Sequence, residues 1–437
     1  MADNTKWIPI GIATILHFLV DGLCLCCLYL MVGTGKVTDL LTLFLTYNTL
    51  AFMTQPLTGW WIDRLRQKHL ALLIATIFLS LAVILMMADT LWLGYSPVSK
   101  ILVAVLLGFG NSLFHVWGGK LTAVLTGNDM RALGIFVSTG VMGLAIGALF
   151  ASWWLLAGML LLIATSPLLL PLRGGVQVAA PFAPEAFPQS KNRLWIWLWL
   201  PAILIFVMMR SFVGEVVPTG LERTADVLLP LAIVAMMGKA CGGWIARWMG
   251  IGNAIVICVC ITAICMMWRG GDNTTLLPIV LGVLAINFTM PMTLHLANRL
   301  LPCREGLSFG LLAAVLIPGY MLAHNWDLSF NHYFMLSALL LTISVEAGML
   351  LLMGEKRKDV LIGSVVINIL TNVPLNYFLM TVGNTTGRII VGELIVLLVE
   401  ALWYFLFVRQ WRKAAIYSLI CNATSFLVGI LIQFLTS

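Results

Sequence analysis

The sequence predicts an all-α membrane protein: two bundles of six transmembrane helices, then three additional C-terminal spans. Three observations carry this. First, 61% of the 437 residues are hydrophobic and only 10% are charged, and a soluble chain cannot bury that much apolar surface. Second, apolar runs of roughly 20 residues, each long enough to cross the hydrocarbon, recur along nearly the whole length. Third, basic residues alternate between loops. With the N-terminus in the cytoplasm, fifteen spans place 17 Lys and Arg on the cytoplasmic side and 5 outside, as the positive-inside rule requires. Omitting a span would reverse every later loop. The same count leaves the C-terminus outside.

The first six spans run over residues 7–32, 40–62, 69–91, 100–125, 132–154 and 155–172. The first run simply begins the bundle, with no small-residue cleavage site after it. Residues 173–193 follow, with Gly174-Gly175, Pro181, Pro184, Pro188 and the polar Ser190-Lys191-Asn192-Arg193. This composition predicts a cytoplasmic linker. It separates an N-terminal unit, 1–172, from a second six-span unit, 194–354, whose spans are 194–213, 225–245, 251–268, 276–298, 307–324 and 333–353. The last unit, 355–437, holds spans 360–380, 389–408 and 414–435. Pro291 and Pro318-Gly319 predict bends, either gate hinges or static kinks. Of nine cysteines, Cys303 falls in a loop and the rest in apolar runs. Cys24-Leu25-Cys26-Cys27 has no companion pair at zinc spacing. These thiols are expected to be structural, with no disulfide framework, no metal and no cofactor.

One loop repeats. Gly59-Trp60-Trp61-Ile62-Asp63-Arg64 returns as Gly242-Gly243-Trp244-Ile245-Ala246-Arg247, and both copies close an apolar run. The chain is therefore built from two related halves. Gly59 lets neighbouring helices approach closely, and Asp63 can meet a helix N-terminus or an arginine. Arg64, Arg66 and Lys68 hold the loop in the cytoplasm. Ala246 replaces the acid in the second copy, so a charge latch should be stronger in the first half. The first copy resembles the signature loop between the second and third helices of the major facilitator superfamily. The resemblance covers about the first 350 residues. It implies two six-helix bundles rocking about a central site lined by spans one, four, seven and ten. His17-Phe18-x-x-Asp21 in span one and Phe114-His115 in span four resemble the fosmidomycin-resistance branch. So does Pro302-Cys303-Arg304-Glu305-Gly306 followed by Gly310. Val116-Trp117 depart from that branch, which has proline after the span-four histidine.

Ionisable residues inside a membrane are costly and are candidate functional groups. Here they are His17 and Asp21 in span one, His115 and Lys120 in span four, Arg210 in span seven, Lys239 in span eight and His295 in span ten. His17 and Asp21 lie four apart on one helix face. A carboxylate beside an imidazole can hold and pass a proton near neutral pH, or serve as a helix-packing bond. Lys120, Arg210 and Lys239 outnumber the acids of this interior and favour an anionic or zwitterionic solute. Arg210 near a span end can alternatively snorkel. Gly140, Gly143 and Gly147 form a stripe that resembles the glycine-rich fifth helix of facilitator antiporters; it also suits plain close packing.

A second repeat occupies the C-terminus. Val345-Glu346-Ala347 recurs as Val399-Glu400-Ala401, and Ser364, Asn368 and Thr371 recur as Ser418, Asn422 and Ser425. The offset is a constant 54 residues, which predicts tandem helical hairpins. Glu346, Asn368, Glu400 and Asn422, with Glu393 seven residues before Glu400, are expected to form a polar seam facing protein. The alternatives are a second ion path or a protein-binding site.

The expected function is secondary transport of a small solute, coupled to protons. The scattered basic loops are no nucleic-acid footprint. There is no phosphate-binding loop and no nucleophile–base–oxyanion set, so no enzyme is expected. The setting is the lipid bilayer, with a bacterial cytoplasmic membrane implied by the resemblance. The rival reading is a non-transporting scaffold or sensor whose C-terminal helices engage a partner protein.

Overall fold

In hydrocarbon every backbone polar group needs an internal partner, and helices provide one within each segment. The computed structural model describes residues 7–32, 37–65, 69–93, 96–169, 194–218, 221, 224–269, 276–325, 330–382 and 386–436. Nine helices among the described residues are long and apolar enough to cross a membrane, and shorter apolar helices accompany them. The predicted linker, 173–193, lies outside the described residues.

Among the described residues, seventeen α-helices fall on the fifteen predicted runs. The first half contains α1 (Trp7–Val32), α2 (Val37–Asn48), α3 (Gln55–Ile62), α4 (Leu70–Ala88), α5 (Pro97–Thr126), α6 (Met130–Leu149) and α7 (Trp153–Leu169). The second contains α8 (Leu194–Val216), α9 (Ala225–Met249), α10 (Ile251–Arg269), α11 (Leu276–Leu300), α12 (Glu305–Ala314), α13 (Leu316–Asn325) and α14 (Phe330–Leu352). The last three are α15 (Lys358–Val382), α16 (Thr386–Val408) and α17 (Trp411–Thr436).

Two runs are broken. The second span passes from α2 through a π-helical turn, Thr49–Met53, into α3, which restarts with Pro56 in its first turn. Thr54 and Thr58 tie this break to Ser112 of α5 at 2.8 and 3.1 Å. The eleventh span breaks between α12 and α13, where Pro318 has no N–H to offer Ala314. Ser211 of α8 donates to the nearby Leu316 carbonyl at 2.9 Å. Pro291, in contrast, sits inside a continuous α11.

Packing divides the chain into two compact units. One is Met1–Gly250 with Ile286–Trp326; the other is Ile251–Ala285 with Asp327–Ser437. This groups α8, α9, most of α11, α12 and α13 with the first six spans, a different partition from the sequence boundaries near 172 and 354. In the first unit α1 is buried nearly all round and packs chiefly on α6, and α6 packs in turn on α9. Glycine permits both approaches: a methyl on Gly143 would overlap the Phe18 carbonyl oxygen, and one on Gly134 would lie 2.5 Å from that of Lys239.

In the second unit α14 packs on α15 and α17, and α16 packs on the same two helices. The 54-residue repeat is thus two hairpins closed into a four-helix arrangement. Tyr404, Tyr417, Leu350, Val360, Ala414 and Cys421 fill its apolar end.

Candidate functional site

The first unit buries one ionisable cluster. His17 and Asp21 lie one turn apart on α1, and α5 brings His115 against them. All three are buried, with Asp21 6% exposed. Asp21 Oδ2 is 3.4 Å from His17 Nε2, and Asp21 Oδ1 is 3.4 Å from His115 Nε2. The Nδ1 atoms point elsewhere. That of His17 is 2.7 Å from the Phe136 carbonyl oxygen and that of His115 is 3.0 Å from the Asn111 carbonyl oxygen. A carbonyl can only accept, so each Nδ1 carries its proton there. In the neutral ring Nε2 then presents a bare lone pair to the carboxylate. Asn111 donates from Nδ2 to Asp21 Oδ1 at 3.0 Å, and its own Oδ1 is buried without a donor among the described residues.

Aromatic rings enclose the cluster. Phe136 stacks on His17 with centroids 4.7 Å apart, and the Phe114 ring lies beside both imidazoles. The backbone of α6 closes the remaining side at Gly140, where a methyl would lie 2.5 Å from His17 Nε2 and overlap Asp21 Oδ2. One ligand atom from each of His17, Asp21 and His115 lies within 4.8 Å of the others. This is an arrangement that could hold a metal ion, assembled from positions no linear spacing reveals.

Two cations accompany it. Lys239 of α9 is half-buried and close enough to Asp21, His115 and Arg210 to feel their charges. Arg210 of α8 is buried, and its Nε has no acceptor among the described residues. No ion pair joins either to a carboxylate among those residues. A buried unpaired guanidinium is expensive, and a bound anion would relieve it.

Lys120 and His295 have other occupations. Lys120 pairs with Asp63 at 3.0 Å and donates to the Ile62 carbonyl. His295 Nδ1 is 2.7 Å from the Asn128 carbonyl oxygen, while Asn128 Nδ2 donates to the His295 carbonyl and Asn298 Nδ2 to Asn128 Oδ1. Asn128, at φ +59°, thereby clamps the α5–α6 turn to α11.

The repeated loop forms a junction in each copy. Asp63 accepts from the amides of Gly306 and Leu307, both at 2.9 Å. These are orphan donors in the first turn of α12, where the helix dipole also favours an anion. Gly59 permits the approach, since a methyl there would overlap the Gly306 carbonyl. Arg64 folds back over Trp60, 3.7 Å from the ring centroid, and donates to the Trp60 carbonyl. A small pocket beside this junction is lined by Trp60, Asp63, Arg64, Cys303, Arg304 and Leu307; it is remote in chemistry from the buried cluster. In the second copy Gly243 abuts the backbone of Met130 and Arg131 at the start of α6. That terminus is capped by its own Asp129, which accepts from the Arg131 amide at 2.9 Å and feels the charge of Arg247. The acid missing at Ala246 is thus supplied from the facing helix.

The C-terminal seam is internally bonded. Asn368 Nδ2 donates to Glu346 Oε2 at 2.6 Å, and Asn422 Nδ2 to Glu400 Oε2 at 2.6 Å. The hydroxyls cross between hairpins: Thr371 donates to Glu400 Oε1 at 3.1 Å, and Ser425 to Glu346 Oε1 at 3.4 Å. Glu346, Asn368 and Glu400 are fully buried and Asn422 nearly so. Glu393 is half-buried and takes no part in these bonds.

No protein-family model matches the sequence, and no curated protein sequence matches it. Among solved structures, a single-residue variant of the E. coli fucose:proton symporter FucP is similar with TM-score 0.57 and 12% identity, over 87% of this chain and 100% of that one. A bacterial homologue of the iron transporter ferroportin, in an outward-facing state, is similar with TM-score 0.52 and 14% identity, over 84% and 98%. The fold of this chain is that of major facilitator superfamily transporters.

Proposed function

We propose that the chain is a secondary active transporter that moves a small anionic or zwitterionic organic solute by alternating access, coupled to protons. The observation that carries this reading is the Asp21 carboxylate held between two imidazoles in a buried cluster, with Lys239 and Arg210 nearby and in no ion pair among the described residues. Asp21, His17 and His115 take up and release the proton. Lys239 and Arg210 draw the anionic group of the solute. Asp63 on the start of α12 latches one side of the path, and breaking those bonds belongs to the change of access. Lys120 serves the latch and His295 the turn clamp.

The N-terminus and basic loops lie in the cytoplasm and the C-terminus outside, in a bacterial cytoplasmic membrane. Within the superfamily the His17-Phe18-x-x-Asp21 and Phe114-His115 motifs resemble the fosmidomycin-resistance branch, with Val116-Trp117 as a departure. Fold likeness does not choose the cargo, because FucP is named for a sugar and the ferroportin homologue for iron. The C-terminal hairpins act as a stabilising extension. Glu346 and Glu400 take their donors from Asn368, Ser425, Asn422 and Thr371 within the hairpins, which supports a structural role.

The test is uptake into liposomes by purified protein, against a panel of labelled organic anions, amino acids and cations. A pH gradient should drive uptake of an anionic or zwitterionic member, and Asp21→Asn should lose that drive while retaining exchange. Gradient-driven uptake that survives Asp21→Asn would remove the cluster from the mechanism.

A further inference from the structure

We infer that His17 Nε2, His115 Nε2 and the Asp21 carboxylate together form a binding site for one divalent transition-metal ion. The inference deepens the transport reading: it names what the buried cluster holds, and it rests on that reading for the claim that the ion is moved.

The geometry separates a metal site from a chain of hydrogen bonds. A charge-assisted N–H···O bond between imidazolium and carboxylate is short, about 2.7–2.9 Å. Both imidazole–carboxylate separations are 3.4 Å. Ligand atoms about 2.0–2.1 Å from a tetrahedral ion lie about 3.4 Å apart, so each imidazole–carboxylate separation, one to each oxygen of Asp21, matches the edge of a coordination polyhedron, and the three ligand atoms all lie within 4.8 Å of one another.

Ring orientation points the same way. Both Nδ1 atoms meet backbone carbonyls, at 2.7 and 3.0 Å. Metal-binding histidines use their second nitrogen in this way, which fixes the ring and leaves Nε2 as the ligand. The carboxylate has an outer partner too, in Asn111 Nδ2 at 3.0 Å.

The α6 backbone packs directly on the cluster: a methyl at position 140 would overlap Asp21 Oδ2 and lie 2.5 Å from His17 Nε2, so the ring and the carboxylate are held in place from this side as well.

Two imidazoles and one carboxylate select against hard cations such as Mg²⁺ and Ca²⁺, which prefer oxygen. They suit Zn²⁺, Co²⁺, Fe²⁺ or Mn²⁺. In this state the rings and α6 close round the cluster, so a further ligand, such as a chelating organic anion whose remaining charge meets Lys239 and Arg210, needs the access that transport itself opens.

The experiment is a titration of purified full-length protein in detergent with CoCl₂, read by its visible ligand-field bands and by equilibrium counting, with and without citrate. The expected result is one Co²⁺ per chain, displaced by ZnCl₂. Binding should weaken by more than the 10- to 100-fold that loss of an outer-shell partner costs in His17→Gln and in His115→Gln. At matched free Co²⁺, tighter binding with citrate supports a site that takes the ion together with its chelator, and unchanged binding supports a site for the ion alone. X-ray absorption of the zinc-loaded wild-type chain should show two imidazole ligands, which decides the matter even if a variant misfolds. Absence of one-to-one binding by folded wild type, or binding unchanged in His17→Gln/His115→Gln, would overturn the inference while leaving proton-coupled uptake standing. Stoichiometric binding at the cluster with no uptake of any panel solute or ion would instead count against transport.

Discussion

Asp63→Asn is the most informative single change at the helix junction. The carboxylate accepts from the Gly306 and Leu307 amides at 2.9 Å each and pairs with Lys120 at 3.0 Å. Hydrogen bonds to a charged group contribute about 1.5–3 kcal/mol each. Asparagine keeps one acceptor, now neutral and about half as strong, and turns an N–H₂ towards the other amide. The net loss is about 2–4 kcal/mol, which at about 1.4 kcal/mol per decade is a factor of about 30 to 700. Both amides lie in the first turn of α12 and have no partner within their own helix. Hydrogen–deuterium exchange of peptides spanning residues 303–312 should therefore accelerate by that factor in the variant, while peptides from α5 exchange as before. Unchanged exchange at Gly306 and Leu307 would refute the claim that Asp63 holds α3 to α12.

Other expectations follow from the same reasoning. Gly140→Ala should destabilise by about 1–3 kcal/mol through overpacking and abolish uptake, whereas Gly158→Ala, with nothing within 4 Å of the added methyl, should do neither in melting and uptake assays. Burial raises the Glu355 pKa, but the Arg357 guanidinium and the Tyr417 hydroxyl outweigh it and hold the group at about 2 against an ordinary 4.5. The stability this contributes is full above about pH 4.5 and is lost as pH falls towards 2. Linkage bounds it at about 3 kcal/mol, and screening of the half-exposed Arg357 and Lys413 reduces it to about 1–2. Melting of wild type and Glu355→Gln between pH 2 and 7 should show the acid-dependent loss only in wild type. Asn368→Leu and Asn422→Leu should each cost about 1–3 kcal/mol, the penalty for stripping a buried carboxylate of its donor. Chemical denaturation giving clearly unequal costs would contradict the equivalence of the two hairpins.

The sequence carried the helices well, because an apolar run of about 20 residues has one stable conformation in hydrocarbon. It marked the break in run eleven through Pro318-Gly319 but not the one in run two. Pro56 and Pro318 stand at both places, yet Pro291 lies in an unbroken helix, so proline alone does not decide. The i, i+4 spacing paired His17 with Asp21, but the third member, His115, comes from another helix and only packing reveals it. Asn111 lies in the polar Gly110-Asn111-Ser112 stretch of span four, one turn before His115, but its bond to Asp21 is visible only in the fold. Lys120 looked like a cavity cation because its depth in the run was visible and its direction was not. It reaches back to Asp63 instead. The 54-residue repeat pointed to Glu346, Asn368, Thr371, Glu400, Asn422 and Ser425, whereas Glu393, expected beside them, joins none of their bonds, and the crossing of Thr371 and Ser425 between hairpins required the fold.

The central claim is that the Asp21 cluster couples solute movement to protons. Its most direct test records lumenal pH with a trapped dye in liposomes containing purified protein, as each panel solute is added outside without an imposed gradient. The account predicts that at least one anionic or zwitterionic solute shifts the lumenal pH in wild type, and that Asp21→Asn abolishes the shift while labelled solute still exchanges. A pH shift of undiminished size in Asp21→Asn would contradict it.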